Sequence, residues 1–141
     1  MVRLIPLLTS LLSFFITPSA QAEDAPKIDD YPTPVEFMMS DECQKNQRML
    51  NYCASKIKQF YELKLESLYQ KLEQNDELRA ANAAWNDFVD KECKRFAKPF
   101  ELGSIYPLEI ASCKESLTKQ RIKALTDELS CNSEVGCSYL E

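Results

Sequence analysis

Six cysteines, Cys43, Cys53, Cys93, Cys113, Cys131 and Cys137, limit this chain most, because all of them follow a stretch built like a secretory leader. Arg3 supplies a positive start, and an apolar run extends from Leu4 to Ile16. Ala20-Gln21-Ala22 then forms a small-residue cleavage site. The run is shorter than the roughly 20 residues that span a bilayer. Residues 1–22 therefore read as a signal peptide, with an uncleaved N-terminal anchor as the alternative. The expected location is periplasmic or secreted, with no stable membrane insertion once the leader is removed. No cysteine sits at the cleavage site to carry a lipid. An even cysteine count in an exported chain implies disulfides. The competing reading is a metal site, which favours histidines or closely spaced Cys-x-x-Cys pairs. The chain has no histidine, and its closest cysteines are Cys131 and Cys137. The expectation is disulfides, with no metal and no cofactor.

The remaining 119 residues make one domain's worth of chain. Loss of Arg3 with the leader leaves 16 basic residues against 22 acidic ones, a net charge of −6. Such a surface disfavours nucleic acid and anionic lipid and suits a cationic protein partner.

Residues 23–40 hold Pro26, Pro32 and Pro34 and read as an extended, partly mobile lead-in. Between Pro34 and Pro99 there is no proline, and the whole chain has only two glycines, Gly103 and Gly136. That stretch is rich in Leu, Lys, Glu, Gln and Ala, which favour helix. Apolar residues at steps of three or four predict a first helix from about Asp41 to Gln74, through Leu50, Cys53, Ile57, Tyr61, Leu65, Leu68 and Leu72. Asn75 or Asp76 can cap a second helix, over about Glu77 to Lys98, whose apolar side is Leu78, Ala81, Trp85, Phe88, Val89 and Phe96. A turn with Gly103 and Ser104 at its centre leads, through Pro107, to a third helix carrying Ile110, Cys113, Leu117, Ile122, Leu125 and Leu129. The fold class expected is all-α: an antiparallel three-helix hairpin or bundle stapled by disulfides, over residues 41–129. Residues 130–141 form an irregular tail with Cys131 and Cys137.

Short connections make neighbouring helices antiparallel. Residues equally distant from a hairpin turn then face each other. Cys93 and Cys113 each lie ten residues from Gly103, so they are predicted to pair. Cys131 and Cys137 fall at the opposite end and can pair only with each other. Cys43 and Cys53 would stand about 15 Å apart in a continuous helix, beyond the roughly 7 Å that a disulfide allows. Their pairing needs a break near Gln47 to Asn51; Cys43–Cys53 is the pairing expected, and without that break Cys53–Cys93 with Cys43–Cys113 becomes the better arrangement.

With these residues in place, the chain resembles the bacterial lysozyme-inhibitor LprI-like domain family over about residues 43–129. The resemblance is carried in order by Cys43, the Asn-x-Cys-Ala stretch at Asn51, Cys53 and Ala54, the Leu-x-x-x-Tyr step at Leu65 and Tyr69, then Trp85, Asp90 and Cys93, the Gly103-Ser104 turn, Cys113, and Leu117, Thr118 and Arg121. The departures include Asn82 and Ala83 where relatives often carry Gln and Arg, Val89 in place of an Arg, and Leu102 in place of a first turn glycine. The family motif residues on this chain are thus Trp85, Asp90, Gly103, Ser104, Thr118 and Arg121.

The resemblance implies an exported binding protein that inhibits lysozyme-type muramidases by protein–protein contact, a cationic lysozyme being the implied partner. The turn from Phe100 to Tyr106, next to the expected Cys93–Cys113 bond, offers Glu101, Ser104 and Tyr106 as partner-binding residues. The alternative for this turn is a plain connector, with Gly103 present for backbone conformation. The alternative function is a non-catalytic structural or interaction module of the cell envelope with another partner. An enzyme is not expected and no catalytic residue is assigned, since there is no histidine base, and the serines lack a histidine partner. By periodicity Trp85 falls in the core, with a ligand platform as the alternative reading. A pairing of Asp90 with Arg121 fails the hairpin rule, because the two lie 13 and 18 residues from Gly103.

Overall fold

A computed structural model of the chain describes residues 25–72 and 75–130. Among these residues every regular element is helical. The leader, Cys131 and Cys137 with the pairing expected of them, and the rest of the tail lie outside the described residues.

Local side chains start most of the helices. A short α1, Pro34–Met38, begins where the Thr33 side chain accepts the Glu36 N–H, with Pro34 in the first turn. The Ser40 hydroxyl accepts the Cys43 N–H and starts α2, Asp41–Gln44. Asn46 accepts from Met49 and starts α3, Gln47–Tyr69. Asn75 accepts from Leu78 and starts α4, Asp76–Ala97. A single 3-10 turn, Lys98–Phe100, and the Gly103 bend lead into α5, Tyr106–Ser130.

The long first helix expected from Asp41 is interrupted. Its break falls at Lys45 and Asn46, just ahead of the stretch that the disulfide geometry required, and it comes from the Asn46 cap. The break turns α2 back onto α3 and brings the Cys43 and Cys53 Cα atoms to 5.8 Å, where the sulfurs are bonded. Cys93 and Cys113 are bonded with Cα atoms 5.5 Å apart.

The lead-in differs from the extended arm expected over residues 23–40. From Ile28 it carries a 3-10 turn and α1, and Phe37 is fully buried against Cys43, Cys53 and Ile57. The prolines had argued against helix, but Pro34 occupies the first helical turn, where no donor is needed.

The three long helices are not packed equally. Helix α5 is the centre and lies against both α3 and α4, while α3 and α4 make no close backbone contact among the described residues. Asn51 meets Ser104 at one end of α3, and Tyr69 meets Arg121 near the other, so α3 and α5 run parallel. The Cys93–Cys113 bond and the Asp90–Lys114 ion pair set α4 antiparallel to α5. Leu65, Tyr69, Ile122 and Leu125 form the core between α3 and α5. Because α4 has a single long partner, it buries only the narrow stripe Val89, Cys93 and Ala97. Phe88 and Phe96, expected on its buried side, are about half exposed.

Candidate functional site

The gap left between α3 and α4 is a groove of about 320 Å³ with α5 as its floor. Helix α3 contributes Glu62, Leu65, Glu66 and Tyr69. Helix α4 contributes Asn82, Trp85, Asn86, Val89 and Asp90, and α5 adds Lys114 and Thr118. Steps of three and four along α3 and α4 place these side chains on one face of each helix.

Arg121 joins the three helices beside this groove. Its Nε donates to the Tyr69 hydroxyl at 3.1 Å. Its guanidinium carbon lies 5.9 Å from the Tyr69 ring centroid and 5.7 Å from that of Trp85. A planar cation between two electron-rich rings is a favourable cation–π arrangement. Trp85 is therefore a half-buried wall residue held by Arg121, and not the core residue that periodicity suggested. Lys114 Nζ donates to the Asp90 carboxylate across α4 and α5. This bond and the charge of Lys114 hold the Asp90 carboxyl below its ordinary value of 3.8. Thr118 is buried in the floor.

Trp85, Asp90, Thr118 and Arg121 thus meet around one feature, joined by Leu65 and Tyr69. Sequence reasoning did not foresee the groove, nor Asn82, Asn86, Glu62 and Glu66 as its walls. One signal was available: Trp85 and Arg121 each lie 18 residues from Gly103, so the hairpin rule that pairs Cys93 with Cys113 also pairs these two.

Gly103 and Ser104 lie elsewhere, at the end where α4 turns into α5. The Gly103 N–H donates to the Phe100 carbonyl at 2.7 Å, and a Cβ on Gly103 would come within 3.3 Å of that oxygen. The glycine serves a close backbone approach, with its φ outside the left-handed region. The Ser104 carbonyl accepts from Asn51 Nδ2 at 2.8 Å, which ties the turn to the start of α3. Glu101 is exposed and pairs with Lys98, whose pKa its carboxylate raises. Tyr106 is half-buried as the first residue of α5. Leu102, at the tip of the turn, is fully exposed. It was not among the partner-binding residues that the sequence suggested, although a leucine outside any helical stripe marked it.

Removing the Arg121 side chain is expected to lower stability by about 1–2 kcal/mol, the range for a partly desolvated cation–π contact with one hydrogen bond. Since Trp85 is the single tryptophan, the Arg121→Ala variant should also change its emission. A Lys replacement should recover only part of either, lacking the planar fork. Thermal melts and fluorescence check this, and an unchanged melt would sink the bridging role.

Among the described residues no group of His, Cys, Asp and Glu is arranged to hold a metal, and no helix is long and apolar enough to cross a membrane. What these helices define is an all-α domain, stapled by disulfides, with a polar groove along one side and a fixed turn at one end. The chain belongs to the family described as lysozyme inhibitor LprI, whose model matches residues 40–125. No curated protein and no solved structure matches it.

Proposed function

We propose that this chain is an exported inhibitor of lysozyme-type muramidases, acting in the periplasm or outside the cell by protein–protein contact and without catalysis. The observation that carries this reading is membership of the inhibitor family over residues 40–125.

The inhibitory element is the turn from Phe100 to Tyr106. It stands on the Cys93–Cys113 bond and on the Asn51 hydrogen bond, so little ordering cost remains to be met on binding. Leu102 offers a protruding apolar tip, and Glu101, Ser104 and Tyr106 surround it with polar and aromatic contacts. An apolar anchor within a polar rim is the usual make-up of a tight interface. The excess of acidic residues steers a cationic enzyme toward the surface, an effect that weakens as salt rises.

The test is cell-wall lysis by lysozymes of several classes, with purified protein, at low and moderate salt. Inhibition of at least one class is expected, stronger at low salt. Leu102→Asp should weaken it about tenfold or more while leaving the thermal melt unchanged. A folded chain that inhibits no class at roughly micromolar concentration, about −8 kcal/mol of binding, would overturn the reading. Full inhibition by the Leu102→Asp variant would remove the turn from it.

A further inference from the structure

We propose that the groove between α3 and α4 is a binding site for a short, uncharged saccharide. This goes beyond muramidase inhibition and does not depend on it, because it concerns a different part of the surface.

The volume of about 320 Å³ lies at the lower end of the range for small-molecule sites. The wall residues select the guest. Asn82 and Asn86 stand one helical turn apart and make no side-chain hydrogen bond among the described residues, and neither does the indole N–H of Trp85. These groups offer donors and amide acceptors to the groove.

Two of the three carboxylates already face a cation: Glu62 is paired with Lys58 at 2.9 Å and Asp90 is bonded by Lys114, while Glu66 accepts from the neutral Gln70 amide at 2.7 Å. An anionic guest would meet the carboxylates directly, and a cationic one would gain a fresh charge partner only at Glu66. A sugar hydroxyl donates and accepts at once, so it can satisfy an amide and a paired carboxylate together. The indole completes the set. The negative face of its ring suits the positively polarised C–H groups on one side of a pyranose. Arg121 fixes the ring, which lowers the cost of ordering it.

The test follows Trp85 emission while chitotriose or cellotriose is titrated into the purified chain. A saturable change that persists at high salt is expected from at least one of them, because the guest carries no charge. Asn82→Ala combined with Asn86→Ala should weaken binding about tenfold, as loss of two ordinary hydrogen bonds predicts, with the melting temperature kept. Absence of a saturable response to both sugars would overturn the proposal. So would unchanged affinity in the double variant. A response to tetralysine alone, abolished by salt, would overturn it too and assign the groove to a basic side chain.

Discussion

Reduction of the Cys43–Cys53 and Cys93–Cys113 bonds is expected to unfold most of the domain at room temperature. In the chain-entropy view, closing loops with separations of 10 and 20 residues stabilises by about 3 kcal/mol each. Together that approaches the 5–15 kcal/mol total of an ordinary domain. The packing gives this chain little in reserve. Cys43 and Cys53 belong to the core cluster with Phe37 and Ile57, so breaking their bond also loosens the apolar cluster that holds α1 and α2 among the described residues. The Cys93–Cys113 bond clamps α4 to α5, the one long helix that α4 contacts among the described residues, along a narrow stripe of three residues. Helical content and denaturant melts, followed with and without reductant, measure the effect, with thiol counting to show that both bonds have opened. At a few degrees of melting temperature per kcal/mol, Cys93→Ser with Cys113→Ser alone should lower the midpoint by on the order of 15 °C. A fully reduced chain with its original melt would show that the helices hold without the staples.

Much of this fold was legible because it rests on local rules. Steps of three and four found the long helices, and Pro99 and Gly103 marked the hairpin. The turn-centred count from Gly103 placed Cys93 opposite Cys113. Less legible was what depends on which helix touches which. Periodicity gives the apolar side of α4 but not the width of the partner covering it, so Phe88 and Phe96 read as buried although only Val89, Cys93 and Ala97 are. The groove follows from the same fact, since it exists only because α3 and α4 stay apart on either side of α5. Its residues look like a solvated face and a core tryptophan until Arg121 is seen beside both Tyr69 and Trp85. The lead-in departs from its expected extended form for a different reason: proline breaks a helix in its interior, while Thr33 and Pro34 together make a helix start.

Truncating Phe37 is expected to cost about 3–5 kcal/mol, the range for a buried Phe→Ala change that leaves a cavity. The residue is 0% exposed and sits edge-on to Tyr31 with ring centroids 5.3 Å apart. A loss of that size from a segment ahead of the family match would make α1 an integral part of the domain. Val35, 68% exposed on the same helix, provides the contrast: Val35→Ala should stay within about 0.5 kcal/mol. Urea unfolding of the two variants decides it, and equal midpoints for Phe37→Ala and the parent would mean that the lead-in contributes nothing to the fold. The cluster also makes the effect conditional. Phe37 packs with Cys43 as well as with Cys53 and Ile57 of α3, so part of its contacts exists only while α2 is folded back on α3. In a double-mutant cycle with Cys43→Ala and Cys53→Ala, the Phe37→Ala cost should fall by 1 kcal/mol or more, the coupling about expected of residues that share a core. Additive costs would mean instead that α1 docks on α3 without help from the disulfide.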